Sequence, residues 1–220
     1  MKAVFQTLLF TFLFLQASLA QIEFDDSFTF EIGLPNAFTN IANKDIMQGL
    51  VCVAPQYQYA SKSGFAFGIG LHYTYFNVNE FRVSQKVFGG IHTGAAYLKL
   101  GHEKFWNDIF GTDIGIKVGY LESYANTDLL RAKGIRFERK QALVIEPTIA
   151  FVLASDVNAS YRFIISYPFY GYSFTPEMIG IDSNVGYTKD ELAKSNSFLT
   201  VGFGYTFYFN GKKSTTGGDD

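Results

Sequence analysis

The sequence contains a single cysteine, Cys52, so no disulfide can form within the chain. Small exported domains with little core often depend on disulfides, and this chain must be held together in another way. Charged residues are also scarce, at 17%, and the formal net charge is only −2. Such a weak balance gives no reason to expect nucleic acid as a partner.

Long apolar runs are missing after residue 20, so no transmembrane helix is expected and any membrane crossing would use β-strands. The one apolar run at the start, Leu8 to Leu15, follows Lys2. It ends in the small residues of Ala17-Ser18-Leu19-Ala20 and is too short to span a bilayer. This pattern predicts a secretory signal peptide over residues 1–20, cleaved before Gln21.

Aromatic residues are abundant, at 18%, and many of them recur with a period of two. The run from Asn196 to Asn210 shows this best, because it contains no charge and alternates apolar with small or hydroxylated residues. A period of two indicates a β-strand. One apolar face and one face of small residues are typical of a membrane barrel. We therefore predict that Phe203, Tyr205 and Phe207 face lipid.

Seven similar runs precede this strand, which gives eight predicted strands. They span residues 27–34, 50–59, 65–77, about 90–100, 112–122, about 141–153, 159–170 and 196–210. The fourth run has mixed faces, and its register is not assigned. Pro55, Pro147 and Pro168 each remove a backbone donor from a ladder and so predict bulges or local breaks.

The predicted links between strands alternate in length. Links after strands two and six are tight turns, the link over 101–111 is intermediate, and links over 35–49, 78–89, 123–140 and 173–195 are long. In an up-and-down barrel, alternate links lie at opposite ends. Outer-membrane barrels have short periplasmic turns and long external loops, which is the pattern seen here.

With these features the chain resembles the small eight-stranded outer-membrane barrels of the OmpA- and OmpX-like class. The last strand ends Tyr205-Thr206-Phe207-Tyr208-Phe209, which resembles the signal that barrel-assembly machinery reads. The resemblance implies an all-β fold, a closed antiparallel up-and-down transmembrane β-barrel of about eight strands over residues 21–210. It also implies the outer membrane of a Gram-negative-type bacterium. A looser similarity is to the PorT-like barrels linked to type IX secretion.

One departure from the class pattern is the polar segment Gly211 to Asp220, which follows the last aromatic residue and is expected to be a disordered periplasmic tail. The expected partners are outer-membrane lipid and glycolipid, with barrel-assembly machinery during insertion. The protein is expected to be a monomer. No cofactor and no metal site are expected, because no histidine spacing matches a metal motif.

Four charged residues fall on the predicted inward faces: Glu31, Lys117, Glu146 and Arg162. Eight strands leave room inside for side chains rather than for an aqueous channel. A buried charge is costly unless it is paired. We therefore predict a structural charge network that closes the lumen, with Glu146 paired to Lys117 or Arg162. The alternative is a proton or ion path along the same groups.

The third long loop is basic and contains Arg131, Lys133, Arg136, Arg139 and Lys140. Such a cluster is a possible contact for the phosphates or acidic sugars of an anionic surface glycolipid. The alternative interpretation is a solvated hairpin that extends strands five and six.

No catalytic motif is found, so the sequence predicts a structural role, or binding and adhesion through the external loops. Three alternatives remain open. They are a lipid-modifying barrel enzyme, a narrow or secretion-associated pore, and a soluble lipocalin-like carrier. An enzyme of the first kind would need a histidine within hydrogen-bond reach of a serine or carboxylate at the external rim.

Overall fold

A computed structural model of the protein describes residues 24–61, 63–83, 86–182 and 186–209. The predicted signal peptide, 1–20, and the predicted tail, 211–220, lie outside the described residues. The strand segments are β1 (Phe24–Ala37), β2 (Met47–Ser61), β3 (Phe65–Val78), β4 (Gly89–Phe105), β5 (Phe110–Thr127), β6 (Glu138–Asp156), β7 (Ala159–Ser166), β8 (Phe169–Ser173) and β9 (Ser195–Tyr208).

These strands form a closed antiparallel ring. Each pairs with its neighbours in chain order, and β1 pairs with β9 from Ser27↔Tyr208 to Ala37↔Phe198. Segments β7 and β8 share one position in the ring, because both pair with β6 on one side and with β9 on the other. The ring therefore has eight strands, which confirms the predicted all-β, up-and-down architecture.

The three prolines coincide with irregularities in the ladders. Pro168 lies in the break between β7 and β8, and Pro147 faces that break, accepting a hydrogen bond from the Tyr167 backbone N–H at 3.0 Å. The pairing of β2 with β3 skips residues 54 and 55, where Pro55 has no N–H to donate. The predicted break is confirmed at Pro168, between β7 and β8, whereas β2 and β6 continue through Pro55 and Pro147.

The faces of β9 are those that the sequence predicts. Phe203, Tyr205 and Phe207 are 66%, 45% and 42% exposed, whereas Thr206 on the opposite face is fully buried. A Cβ added to Gly202 would lie 2.4 Å from the carbonyl oxygen of Ile32 in β1, so this part of the wall requires glycine. Small inward residues thus allow the tight curvature of the ring.

Strand β4, whose register the sequence left open, points its odd-numbered residues inward. Tyr97, Lys99 and Glu103 are buried, while Leu98 and Leu100 are exposed on the outer wall. The strand also continues to Phe105, so the expected intermediate link over 101–111 is wrong. It is a tight turn over 106–109, closed by a hydrogen bond from the Trp106 N–H to the Phe110 carbonyl.

The links are sorted by length between the two ends of the ring, as predicted. The turns after β2, β4 and β6 lie at the end where β1 begins and β9 ends. The four long links lie at the other end, here called the loop end. None of the helices in the described part of the chain is long and apolar enough to cross a membrane.

The long links contain short helices that the sequence analysis did not predict. They are α1 (Ile41–Ile46), α2 (Asp128–Ala132), a 3-10 turn (Pro176–Ile179) and α3 (Lys189–Ala193). Each α-helix begins at a side-chain cap, Asn40, Thr127 or Thr188. In α3, hydrogen bonds from the backbone N–H and hydroxyl of Thr188 hold the pKa of Glu191 below its usual value.

These links fold over the lumen and build an apolar cluster at the loop end, here called the apolar cap. It joins inward residues of the strands to residues of the loops, namely Ala42, Ile46, Met47, Phe76, Val78, Val87, Ile91, Leu121, Ala125, Leu130, Val144, Tyr170, Phe174, Met178, Ile179, Ile181 and Phe198. The burial of apolar side chains in this cap holds the loops in place, as it does in the core of a soluble domain.

Replacing Phe203 with Lys is expected to destabilise the barrel by about 2–4 kcal/mol, because this outward residue lies near the middle of β9 and so near mid-bilayer. Phe207→Lys, one residue from the end of β9, should cost at most about 1 kcal/mol. Urea titration of protein folded into lipid vesicles measures both values. Equal costs at the two positions would contradict the assignment of the outer wall to lipid.

Candidate functional site

The inward charges form two groups along the barrel axis. The upper cluster, nearer the loop end, comprises Glu31, His72, Lys117 and Glu146. The lower cluster comprises Lys99, Glu103, Asp113 and Arg162. All but Glu31 are at most 6% exposed, and the Glu31 side chain is 14% exposed.

In the upper cluster, Lys117 is placed between two carboxylates. Its Nζ lies 2.8 Å from an oxygen of Glu31 and 3.5 Å from an oxygen of Glu146. Glu146 is the direct cross-strand partner of Lys117, and Glu31 reaches it from the opposite wall. The Nζ also lies 5.1 Å from the centre of the Tyr97 ring, which adds a cation–π contact.

His72 connects Glu146 to neighbouring groups on β2 and β3. Its Nδ1 is 3.1 Å from Glu146, and its Nε2 is 2.7 Å from the Thr74 hydroxyl and 3.1 Å from the Cys52 sulfur. Thiol, imidazole and carboxylate in this order are the groups of a nucleophile with its base and orienting acid. All three are buried, between the apolar cap and the lower cluster.

In the lower cluster, Arg162 contacts both acids and its Nη2 lies 2.8 Å from Glu103. Its Nη1 contacts Asp113, which also accepts a bond of 2.5 Å from Lys99 Nζ. Gln58 donates to Glu103 at 2.6 Å and accepts from Lys99 at 2.8 Å. Every charge here therefore has an oppositely charged partner, as burial demands.

Arg162 was expected beside Lys117 and Glu146, but the structure separates it from both. Arg162 lies opposite Val152, six residues along β6 from Glu146, which is about 20 Å of extended strand. The tilt of the strands thus brings Arg162 to Asp113 and Glu103 instead. Lys117 is the cation beside Glu146.

Three lumen residues were missed from the sequence. Lys99 and Glu103 belong to β4, whose register was unassigned, and Glu103 was placed in a link rather than a strand. Asp113 lies on the same face of β5 as Lys117, four residues away, and period two would have found it. Among the described lumen residues, three cations therefore face four carboxylates, and His72 also contacts one of the four, Glu146.

The five basic residues of the third long link do not form a single cluster. Lys133 bonds to the Gly180 carbonyl at 2.8 Å and to Asp182 at 3.2 Å. Arg139 pairs with Glu122, and Lys140 lies 3.1 Å from Glu138. Arg131 and Arg136 are exposed and have no ion pair among the described residues. Strands β5 and β6 do extend into this link, as the alternative interpretation expected.

The other two histidines lie on the outer wall. His92 is hydrogen-bonded to the Tyr73 hydroxyl at 2.8 Å, and His102 contacts the Ser63 carbonyl at the turn end. Across residues 24–61, 63–83, 86–182 and 186–209, no group of three acidic, histidine or cysteine residues is arranged to hold a metal ion.

Comparison with known proteins identifies the fold. No protein-family model matches the chain, and no curated protein sequence matches it. Ail of Yersinia pestis, solved with the heparin analogue sucrose octasulfate, is 10% identical with a TM-score of 0.50, over 85% of this chain and 99% of that chain. A major outer membrane protein of Thermus thermophilus is 9% identical, also with a TM-score of 0.50, over 84% and 99%.

Neisserial surface protein A is 8% identical, with a TM-score of 0.49, over 84% of this chain and 97% of that chain. At such low identities the likeness concerns the fold. The ring is thus similar to the small outer-membrane barrels, in agreement with the resemblance found in the sequence.

Replacing Lys117 with Met is expected to lower the free energy of unfolding by about 3–5 kcal/mol, because it leaves two buried carboxylates without their cation. Glu146→Gln should cost less, since Lys117 keeps Glu31 at 2.8 Å. Neutralising Glu31, Lys117 and Glu146 together should recover part of the loss, because no charge is left unpaired. Urea titration in vesicles compares the variants, and equal costs for the two single changes would refute this account.

Proposed function

We propose that the protein is an integral outer-membrane barrel whose body is a sealed scaffold and whose external loops carry a structural or binding role. The single observation behind this proposal is that the polarity of the ring is opposite to that of a water-soluble protein, with apolar residues outside and charged residues inside. Ile69, Leu143 and Phe203 are 57%, 66% and 66% exposed, while Lys117 and Arg162 are each 2% exposed. Only a solvent less polar than water favours that arrangement.

A soluble carrier is the less favourable interpretation. Exposed aromatic and aliphatic side chains recur on every strand of the ring. An apolar surface of that extent would drive aggregation in water. In a bilayer the same surface contacts the hydrocarbon chains of the lipid. The ring of paired strands also leaves no open sheet edge, which is the condition for strands to cross hydrocarbon.

A pore is also less favoured, because ion-paired side chains and apolar side chains together occupy the lumen. The lower half contains the ion pairs of Arg162 and Lys99, and the upper half is closed by the apolar cap. An ion would have to displace paired side chains and then cross an apolar core. The proposed role of the charges is therefore to hold the wall together.

An enzymatic role has little support in the geometry. Among the described residues, the one histidine that touches a carboxylate is His72, which lies deep in the lumen rather than at the external rim. His92, on the outer wall near the loop end, bonds to Tyr73. We therefore propose a non-enzymatic protein, assembled by the machinery that reads the last strand and active as a monomer.

The loop end offers a surface for anionic ligands. Arg131 and Arg136 are exposed, and neither has an ion pair among the residues described. The apolar cap beneath α2 fixes the loop that carries them, through the buried Leu130. Guanidinium groups on a fixed loop suit phosphate. We propose that they contact the phosphates of an anionic surface glycolipid.

The first test is cell fractionation with gel mobility and conductance. The protein is expected in the outer-membrane fraction. On a denaturing gel, the unheated sample should migrate faster than the boiled sample. In planar bilayers the protein should give no steady conductance. The reason is that a closed, hydrogen-bonded ring with a filled lumen resists detergent and blocks ions. A soluble periplasmic product would defeat the barrel proposal, and a large steady conductance would defeat the sealed lumen.

The second test replaces Arg136 with Gln. Because the side chain has no ion pair among the described residues, the barrel should keep its stability while affinity for vesicles with phosphorylated glycolipid falls about 5-fold, the loss of one charge-assisted contact. Lys104→Gln removes one charge at the opposite end and serves as the control. Vesicle flotation measures binding, and equal losses for both variants would contradict a specific contact at the loop.

A further inference from the structure

The outer wall contains a groove along β4 at the loop-end half of the barrel. The outward residues of β4 read His92, Gly94, Ala96 and Leu98, so two consecutive outward positions have almost no side chain. Gly94 pairs with Tyr73 of β3 and with Glu122 of β5. The larger side chains of β3 and β5 therefore project further outward than Gly94 and Ala96, which form the floor of the groove.

The walls of the groove are larger side chains. Leu71 and Tyr73 form one wall, and Tyr120 and Glu122 form the other. The cavity between them has a volume of about 600 Å³ and is almost entirely apolar. Val53 and Pro55 of β2 and Tyr124 of β5 extend the lining on the two sides. An open apolar groove of this volume on an outer wall that faces lipid suits a hydrocarbon chain.

The backbone does not require glycine at position 94. A Cβ built there meets no heavy atom within 4 Å, and Gly94 is not among the glycines with positive φ. Glycine inside a strand weakens the strand and commonly marks the close approach of a ligand or another chain. The missing side chain therefore leaves space that nothing else in the described chain fills.

The loop end of the groove is polar. The Glu122 carboxylate accepts a bond of 3.1 Å from Gln141 and pairs with Arg139, and the Tyr73 hydroxyl is bonded to His92. Above β5, the third long link carries Arg131 and Arg136. An amphiphile in the groove would thus meet hydrogen-bonding groups first and then positive charge.

We infer that this groove binds one acyl chain of a phosphorylated glycolipid of the outer leaflet. The chain lies over Gly94 and Ala96, the sugar hydroxyls bond to Glu122, and the phosphate is directed toward Arg136. The inference rests on the proposed function, because it needs the outer wall to face lipid. A sugar suits the polar end better than a plain phospholipid head, since Glu122 can accept bonds from hydroxyl donors.

The test uses the full chain folded in detergent micelles and native mass spectrometry. The probe is an acylated glucosamine disaccharide bisphosphate, compared with phosphatidylglycerol of the same chain length. Wild type is expected to retain one disaccharide per protein. Gly94→Phe fills the groove and should lower retention at least 10-fold, whereas Leu100→Phe, on the same outer face of β4 but not among the residues that line the groove, should leave it unchanged. Glu122→Gln should weaken the disaccharide but not phosphatidylglycerol.

Two further arms keep the inference testable if Gly94→Phe does not fold. Ala96→Val narrows the floor with a smaller change, and a disaccharide with very short chains tests the wild type directly. Both should reduce retention. Unchanged retention in either arm, equal binding of phosphatidylglycerol, or a dimer that Gly94→Phe dissolves would overturn the inference.

Failure of the inference and failure of the proposed function give different results. A protein that migrates as a heat-modifiable barrel and retains the disaccharide equally with Phe at position 94 contradicts only the groove. A protein that never enters a membrane contradicts the proposed function itself, whatever it retains in detergent.

Discussion

The pairing of charges inside a narrow ring is the constraint on which the rest of the structure depends. Eight strands leave little more than the thickness of two side chains, so an inward side chain can reach the opposite wall, as Lys117 reaches Glu31. Lys117 and Arg162 can stay charged there only because carboxylates from other strands reach them. A register slip of one residue would turn these groups toward lipid, so the same pairs that fill the lumen also specify the register.

The two halves of the lumen are filled by side chains of different chemistry. Near the turn end, Arg162, Lys99 and their acids form a hydrogen-bonded network. Near the loop end, the apolar cap packs loop residues such as Phe174 against inward strand residues such as Phe198. Charge pairs need fixed geometry, which the strand ladders supply. Apolar packing tolerates irregular backbone, which is what long connections offer.

The sequence was sufficient for the architecture because all the predicted strands except the fourth show the same two-residue period, and Phe203 or Leu143 can face only one way in such a ladder. It was not sufficient for the partners of Arg162, because these depend on strand tilt, which period two does not encode. Strand β4 was ambiguous because Gly94 and Ala96 lie on its lipid face and blur the alternation. The loop helices, of five or six residues, are too short for a helical period to show.

The closure of the ring by β1 and β9 has a consequence for how the chain is made. These strands are the first and last of the barrel, yet Ser27 pairs with Tyr208. Until β1 and β9 pair, the sheet has two open edges, and each is a template for pairing with any other extended chain. The contact that removes both edges is also among the most distant along the chain, and such contacts form slowly. The unclosed sheet must therefore be shielded from other extended chains until its two ends meet.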